Sequence, residues 1–470
     1  MIANNYDLII IGAGPAGAFT AYEYNKLTKG KKKILLVDKG KAIQNRKCPI
    51  GVSIDKCVKC KQCAITTGFA GSGAFSDAKL SLYDPEQEEV LVGGNLPQLI
   101  GNKQTKQLIN YCDSIYTDFG ADTYIAGVEN KEEIKKIKDK SLKNDINLID
   151  IPIRHLGTEK SRELYYKIQK YLIDNGVKIL FNSEFKELLI DESRIVGVVI
   201  ENSVYKSNNV VLAMGRNGSG HLSDICEKYG IERENGIVDI GIRYELNSEK
   251  GIKKINELMY EGKFVSKISD SVRTFCQNPD GFVTAESYDG ELTLVNGHAF
   301  KEIKSKNTNL AILSSHMFTE PFKDTIQFGK QIAKTTNDLA NGGIIVQRLG
   351  DLLNHKRTWE HQLKTNSVKP TLNVAVAGDL ALAFPYRILD NIVNFILRLD
   401  KVIEGFANPD NLMYGPEIKF YSNKIKLDKN LMTNIEGLYA IGDGAGLTRG
   451  LMMASCSGIQ VARNVFNNIL

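Results

Sequence analysis

The 470-residue sequence predicts an α/β protein whose nucleotide-binding domain is assembled from separated stretches of chain. Three observations predict it. An apolar run at residues 6–11 passes straight into a glycine-rich turn, a second apolar run ends in an acid at Asp38, and two further strand-like segments stand far down the chain at 209–215 and 437–443. Runs apolar on both faces are those of parallel strands covered by helices on either side.

The turn reads Gly12-Ala-Gly14-Pro-Ala16-Gly17. The first glycine permits a tight turn, the second lets a pyrophosphate approach the backbone, and the third lets the following helix pack closely on the strand. That helix would meet the phosphates with its N-terminal amides. Asp38, at about the twenty-residue distance such folds require, offers a carboxylate to an adenosine ribose hydroxyl and disfavours a 2′-phosphate there. Gly12, Gly14, Ala16, Gly17, Asp38 and its neighbour Lys39 are therefore the expected cofactor-binding residues of a Rossmann-type domain.

The C-terminal segment continues from Gly442-Asp443 through Gly444, Gly446 and Gly450 into a helix from about Leu451. It resembles the second flavin-binding motif of the glutathione-reductase-like flavoproteins. The resemblance implies that Asp443 holds the ribityl hydroxyls, with Gly442, Gly450 and Leu451 beside it, and that the helix points its positive end toward the flavin N1/O2 region. Residues 209–215 resemble the return-crossing motif of the same superfamily. FAD is the expected cofactor. A second strand-GxGxxG-helix unit is missing from the sequence, so a dedicated NAD(P)H domain is not expected. This resembles the single-Rossmann arrangement of fumarate-reductase-like and geranylgeranyl-reductase-like enzymes.

Four of the eight cysteines lie between residues 48 and 63. Cys57, Cys60 and Cys63 stand at two-residue spacings, with Cys48-Pro49 upstream, and in a reducing compartment such crowding points to metal or redox chemistry. The compact triple suits a 4Fe–4S cluster, zinc more often takes two separated pairs, and unligated thiols remain a third reading. Cys112, Cys226, Cys276 and Cys456 are isolated and read as small buried apolar residues.

Directly after the run comes a glycine-rich stretch, residues 65–80, containing Gly68, Gly71, Gly73, Ser76, Asp77 and Lys79. With Arg46-Lys47-Cys48-Pro49 before it, and residues 238–243, 274–281, 296–298, 416–420 and 442–450 after it, this stretch resembles a family of uncharacterised FAD-dependent dehydrogenases. The sequence departs from that family's loop at Ala70, Ser72 and Ala78. The resemblance implies that the loop runs along the isoalloxazine, with Gly73 in contact with cofactor and Ser76, Asp77, Lys79 and Arg449 as catalytic candidates. Arg243, Arg273, His298 and Lys419 are further polar residues expected near a flavin that meets an anionic substrate.

The expected organisation is an FAD-binding domain in two parts, 1–219 with the cysteine cluster at 48–63 and 426–470, around an inserted α+β substrate or cap domain at 220–365 and a helical cap region at 366–425. Strands are expected at 237–244, 273–277, 282–287 and 291–296, and amphipathic helices at 324–340 and 385–406.

A net charge of +5 spread among many acids argues against a nucleic-acid partner. No apolar stretch reaches the ~20 residues of a spanning helix, and the opening residues have no signal-peptide pattern, so a cytoplasmic protein is expected. The function these features support is an FAD-dependent oxidoreductase that exchanges a hydride with a small-molecule substrate, with an iron–sulfur cluster, an electron-carrier protein or NAD(P)H supplying or removing electrons. An FAD-dependent RNA-modifying enzyme and a flavin electron carrier without its own substrate are the alternatives.

Overall fold

A computed structural model describes residues 4–48, 60, 62–75, 78–234, 236–259, 262–268, 270–288, 292–300, 303–318, 321–322, 324–420 and 424–468. The chain forms two compact units: residues 1–124, 154–236 and 421–470 make the first, and residues 125–153 and 237–420 the second.

The first unit is built on a five-stranded parallel sheet in the order Leu438–Ala440, Val210–Leu212, Leu8–Ile11, Ile34–Val37, Lys178–Leu180. Every residue of the first four strands is buried, as their uninterrupted apolar sequences demand. Each such side chain taken from water contributes about 1.5–3 kcal/mol. Helices Pro15–Leu27 and Leu451–Asn467 pack together so closely that a Cβ at Gly458 would fall 2.2 Å from the Ala16 carbonyl oxygen. An antiparallel meander, Phe185–Asp191, Arg194–Ile200 and Ser203–Lys206, sits at one side. The sequence at 177–200 suggests that the meander starts earlier, but Lys178–Leu180 joins the parallel sheet instead, its register set by pairing with Ile34–Val37.

The second unit is organised by an eight-stranded mixed sheet: Val376–Ala377, Ile345–Arg348, Leu412–Phe420, Val238–Asn247, Asn307–His316, Val272–Asn278, Gly262–Ser266 and Asn147–Asp150. Along Val238–Asn247 the alternation is clear. Ile240, Ile242 and Tyr244 enter a core with Ile388, Ile392, Phe395 and Ile396 of helix Tyr386–Asp400, while Asp239, Arg243 and Glu245 face the other way. Phe282–Tyr288 and Leu292–His298 pair antiparallel, and Asp289-Gly290 between them, a dipeptide that signals a hairpin turn, lies outside the described residues. The helices expected at 324–340 and 385–406 are Thr325–Leu339 and Tyr386–Asp400.

The boundaries between units fall at 236/237 and 420/421, and residues 125–153 join the second unit, where the sequence suggested breaks at 220, 366 and 426. The stretch 366–425, expected to be helical, also supplies Leu412–Phe420, a strand central to the larger sheet. Among the described residues no helix is long and apolar enough to cross a membrane.

Candidate functional site

The strand Leu8–Ile11 delivers the chain into the turn at Gly12, whose φ of +106° is reserved for glycine and whose missing Cβ would lie 2.2 Å from the Ala213 carbonyl oxygen. A Cβ at Gly17 would lie 1.9 Å from the Gly12 carbonyl oxygen, which is the close packing of helix on strand that the sequence pattern implies. Gly14 is different. No described atom lies within 4 Å of a Cβ built there, so its bareness serves nothing inside the protein and leaves room for a ligand against the backbone. Pro15 opens the helix, and among the described residues no side chain caps it. Its first amides therefore lack partners within the helix, as at the start of any helix.

Asp38 ends the adjacent strand, 9% exposed, with Oδ2 accepting from the Ala13 amide at 2.9 Å and Oδ1 from the Gly40 amide at 2.7 Å. Burial raises its carboxyl above the ordinary aspartate value, while the two amides and the nearby Arg46 oppose the rise. Ala16 is buried on the helix and Lys39 is half-buried beside Asp38.

Asp443 stands in a short helical turn, Asp443–Ala445, after the strand Leu438–Ala440. Its Oδ1 accepts from the Thr448 hydroxyl at 2.8 Å and its Oδ2 from the Gly450 amide at 3.2 Å, and Arg216 approaches to 3.9 Å. Burial raises this carboxyl too, with Arg216 the largest opposing influence. Gly442 and Gly450 have φ of +76° and +90°, and the helix that Gly450 opens at Leu451 also lacks a side-chain cap among the described residues. The chain thus presents two uncapped helix N-termini, each with a carboxylate close by in sequence or across the sheet, the complement of a ligand with phosphates and hydroxyls.

The loop after the cysteine run lies against this turn. The Ala70 amide donates to the Ala13 carbonyl at 2.8 Å, and a Cβ at Gly71 would lie 3.7 Å from the Gly14 Cα. A Cβ at Gly73 would lie 2.8 Å from Leu451 Cδ2, bringing this candidate to the start of the C-terminal helix. Ala70 and Ala78, two of the three positions where the sequence departs from the resembling family, have φ of +67° and +49°, a backbone that favours glycine.

Arg46 anchors the loop. Fully buried, it donates to the carbonyls of Ala64 at 2.9 Å, Ile65 at 2.7 Å and Phe69, and lies over the Phe75 ring at 4.7 Å. Burial pulls its guanidinium down to about 10, against the pull of Asp38 and Cys63. Beneath the loop, the Tyr116 hydroxyl joins those of Tyr165 at 2.9 Å and Ser455 at 2.8 Å, and Ser161 donates to the Gly73 carbonyl at 2.8 Å. Arg46, Arg216 and the tyrosine pair were not read as site residues from sequence. Arg46 at least stands in the motif next to Cys48; the tyrosines carry no local signal, since only the packing of three helices brings them together.

The other candidates divide. Ser76 and Asp77 lie outside the described residues, as does Cys57. Lys79 begins the short strand Lys79–Ser81, and the Arg449 amide donates to the Gly93 carbonyl at 2.8 Å with the side chain exposed. Cys48 is half-buried and Cys60 and Cys63 are exposed; among the described residues no group of three His, Cys, Asp or Glu is placed to hold a metal. Cys112, Cys226 and Cys456 are buried as expected, but Cys276 is partly exposed, at φ +48° where the strand bulges. In the second unit Arg243 forms a two-pronged pair with Glu417 at 2.6 and 2.7 Å, Lys419 reaches Glu417 at 3.1 Å, and Arg273 pairs with Asp239. These cations are engaged with buried acids of their own sheet, while His298 ends its strand exposed.

The first unit is a Rossmann-type dinucleotide-binding fold in a mixed α/β protein. Residues 230–419 match the family described as "FAD-dependent protein, C-terminal domain-like", so the FAD-dependent character read from the motifs is borne out there. An uncharacterized protein of Clostridium beijerinckii is 23% identical over 333 residues, 66% of this chain and 61% of that protein's length. Among solved structures, L-proline dehydrogenase from P. horikoshii is 12% identical with a TM-score of 0.42, covering 99% of this chain and 95% of that one. Glycine oxidase from Geobacillus kaustophilus is 9% identical with a TM-score of 0.40, with the same coverage of 99% and 95%. Neither likeness bears on the substrate of this chain.

Proposed function

We propose that the protein is a cytoplasmic FAD-dependent oxidoreductase acting on a small organic substrate. The observation that carries the reading is the open space at Gly14 in front of an uncapped helix, with the nearly buried Asp38 carboxylate on the next strand. Bound there, FAD supplies hydride chemistry at its N5. The chain's own part is to hold it. The amides after Gly14 meet the pyrophosphate, Asp38 accepts from the adenosine ribose, Asp443 accepts from the ribityl hydroxyls, and the loop around Gly73 lies beside the ring. Ser76, Asp77, Lys79 and Arg449 are the candidates for orienting substrate, on the resemblance of the loop and of residues 442–450 to FAD-dependent dehydrogenases.

Cys48, Cys57, Cys60 and Cys63 are proposed to hold a metal centre, an iron–sulfur relay on their compact spacing, with zinc the competing occupant. An electron-carrier protein or NAD(P)H is the proposed source or sink of electrons. Anaerobic preparation followed by visible spectra, iron, sulfide and zinc assays, and a screen of small amines, amino acids and hydroxy acids for bleaching of the flavin band tests the whole reading. Bleaching by one substrate class and its reversal by an oxidant support an oxidoreductase. A flavin band indifferent to every organic substrate, yet in rapid exchange with a carrier protein, turns the reading toward an electron carrier.

A further inference from the structure

In the second unit, the chain between the short helices Leu349–Leu353 and Glu360–Thr365 walls a surface cleft of about 470 Å³, lined by Asp351, Lys356, Arg357, Trp359, His361 and Gln362. That volume falls within the roughly 300–1,000 Å³ of small-molecule sites. Trp359 is the chain's single tryptophan and is 52% exposed. The Arg357 guanidinium lies over one face of its ring at 4.0 Å.

The walls are held in place from behind. Arg357 donates to the Ala377 carbonyl at 3.0 Å, the Thr358 amide donates to the Gly378 carbonyl at 3.0 Å, and the Trp359 amide donates to Gln362 Oε1 at 2.8 Å. Both acids are engaged, Glu360 although it is exposed. Asp351 is buried and accepts from the Thr358 hydroxyl at 2.7 Å, Gln362 at 3.2 Å and Arg348 at 3.5 Å, while Glu360 accepts from the Ala377 amide at 3.3 Å. Outward stand Lys356, Arg357 and His361, all exposed.

Closing the outer edge of the strand Val376–Ala377 accounts for Arg357 and Glu360, since an open edge invites foreign pairing. It does not account for a half-exposed indole or for Lys356 and His361. An exposed indole with a guanidinium over one face of its ring and an exposed lysine close by in sequence is complementary to a base that stacks on the other face and a phosphate that pairs. We propose that this cleft binds a nucleoside phosphate, the base stacked on Trp359 and the phosphate held by Lys356 and Arg357. The site shares no residue with the flavin-binding turn.

Titrating the FAD-loaded protein with ADP, adenosine and inorganic phosphate, while following the fluorescence of the single tryptophan, tests the proposal. ADP is expected to quench it saturably with the flavin spectrum unchanged, and adenosine and phosphate alone to bind about tenfold or more weakly. Lys356→Ala, which keeps the reporter and the edge contacts of Arg357, is expected to weaken ADP by about tenfold. Trp359→Leu, followed by calorimetry, is expected to lose ADP binding while melting as the parent protein does. No saturable quench by ADP, equal ADP affinity in Lys356→Ala, undiminished binding in Trp359→Leu, or quenching that tracks release of FAD each overturns the proposal; the last places ADP in the flavin's adenosine site.

Discussion

The carboxylate of Asp38 accepts a hydrogen bond from the amide of Ala13 at 2.9 Å, joining the end of one parallel strand to the nucleotide turn that follows its neighbour. One acid thus ties the end of its strand to the nucleotide turn. Asp38→Ala is expected to weaken FAD binding by roughly ten- to a hundredfold, since a hydrogen bond to a charged group is worth about 1.5–3 kcal/mol. The check is FAD retention against protein concentration, by recovery of free-flavin fluorescence. Unchanged retention removes Asp38 from the site.

Gly12 and Gly14 are expected to fail in different ways. Gly12→Ala forces a Cβ to 2.2 Å from a backbone oxygen at φ +106°, so it is expected to destabilise the apoprotein by at least about 2 kcal/mol. Gly14→Val meets open space and is expected to fold normally and stay colourless. Thermal melting and visible absorbance separate the two. A yellow Gly14→Val protein contradicts the placement of the pyrophosphate.

Much of this site was legible because it is local. The glycines at 12, 14 and 17, the acid at 38 and the helix at Leu451 are each fixed by a few adjacent residues whose backbone conformation only certain side chains permit. The larger sheet was only half legible. Asn307–His316 and Leu412–Phe420 are among its long central strands, yet neither was expected, because Asn307, Asn309, Glu417 and Lys419 interrupt their apolar pattern. Two of those polar residues are satisfied across strands by partners distant in sequence: Glu417 by Arg243, Asn307 by Glu245. Periodicity records burial, and cannot anticipate a buried ion pair.

Removing one half of such a pair is expected to be costly. Arg243 and Glu417 are both fully buried, and Glu417→Ala leaves a guanidinium without its carboxylate, for an expected loss of about 3–5 kcal/mol. Urea unfolding monitored by circular dichroism measures it. A loss under about 1 kcal/mol means that water reaches the pair.

Glu245 provides a test by pH. Burial raises its carboxyl above the ordinary glutamate value, with hydrogen bonds from Thr371, Tyr414 and Asn307 opposing. A raised value means that the folded chain holds the proton more tightly than the unfolded one. The contribution to stability is therefore fully present below about pH 4.3, the unfolded value, and is lost as pH rises through the folded value. Glu245→Gln carries no charge to bury, so its stability relative to the parent is expected to improve as pH rises from acid to neutral. Unfolding free energies at several pH values decide it; a parent that gains on the variant over that range shows that the hydrogen bonds outweigh desolvation.

The most direct test is the cofactor released on denaturing freshly purified protein. One FAD per chain, identified by chromatography and absorbance and absent from Gly14→Val, is the expected result. A nicotinamide dinucleotide in its place, or folded protein that takes up no flavin at saturating FAD, contradicts the account.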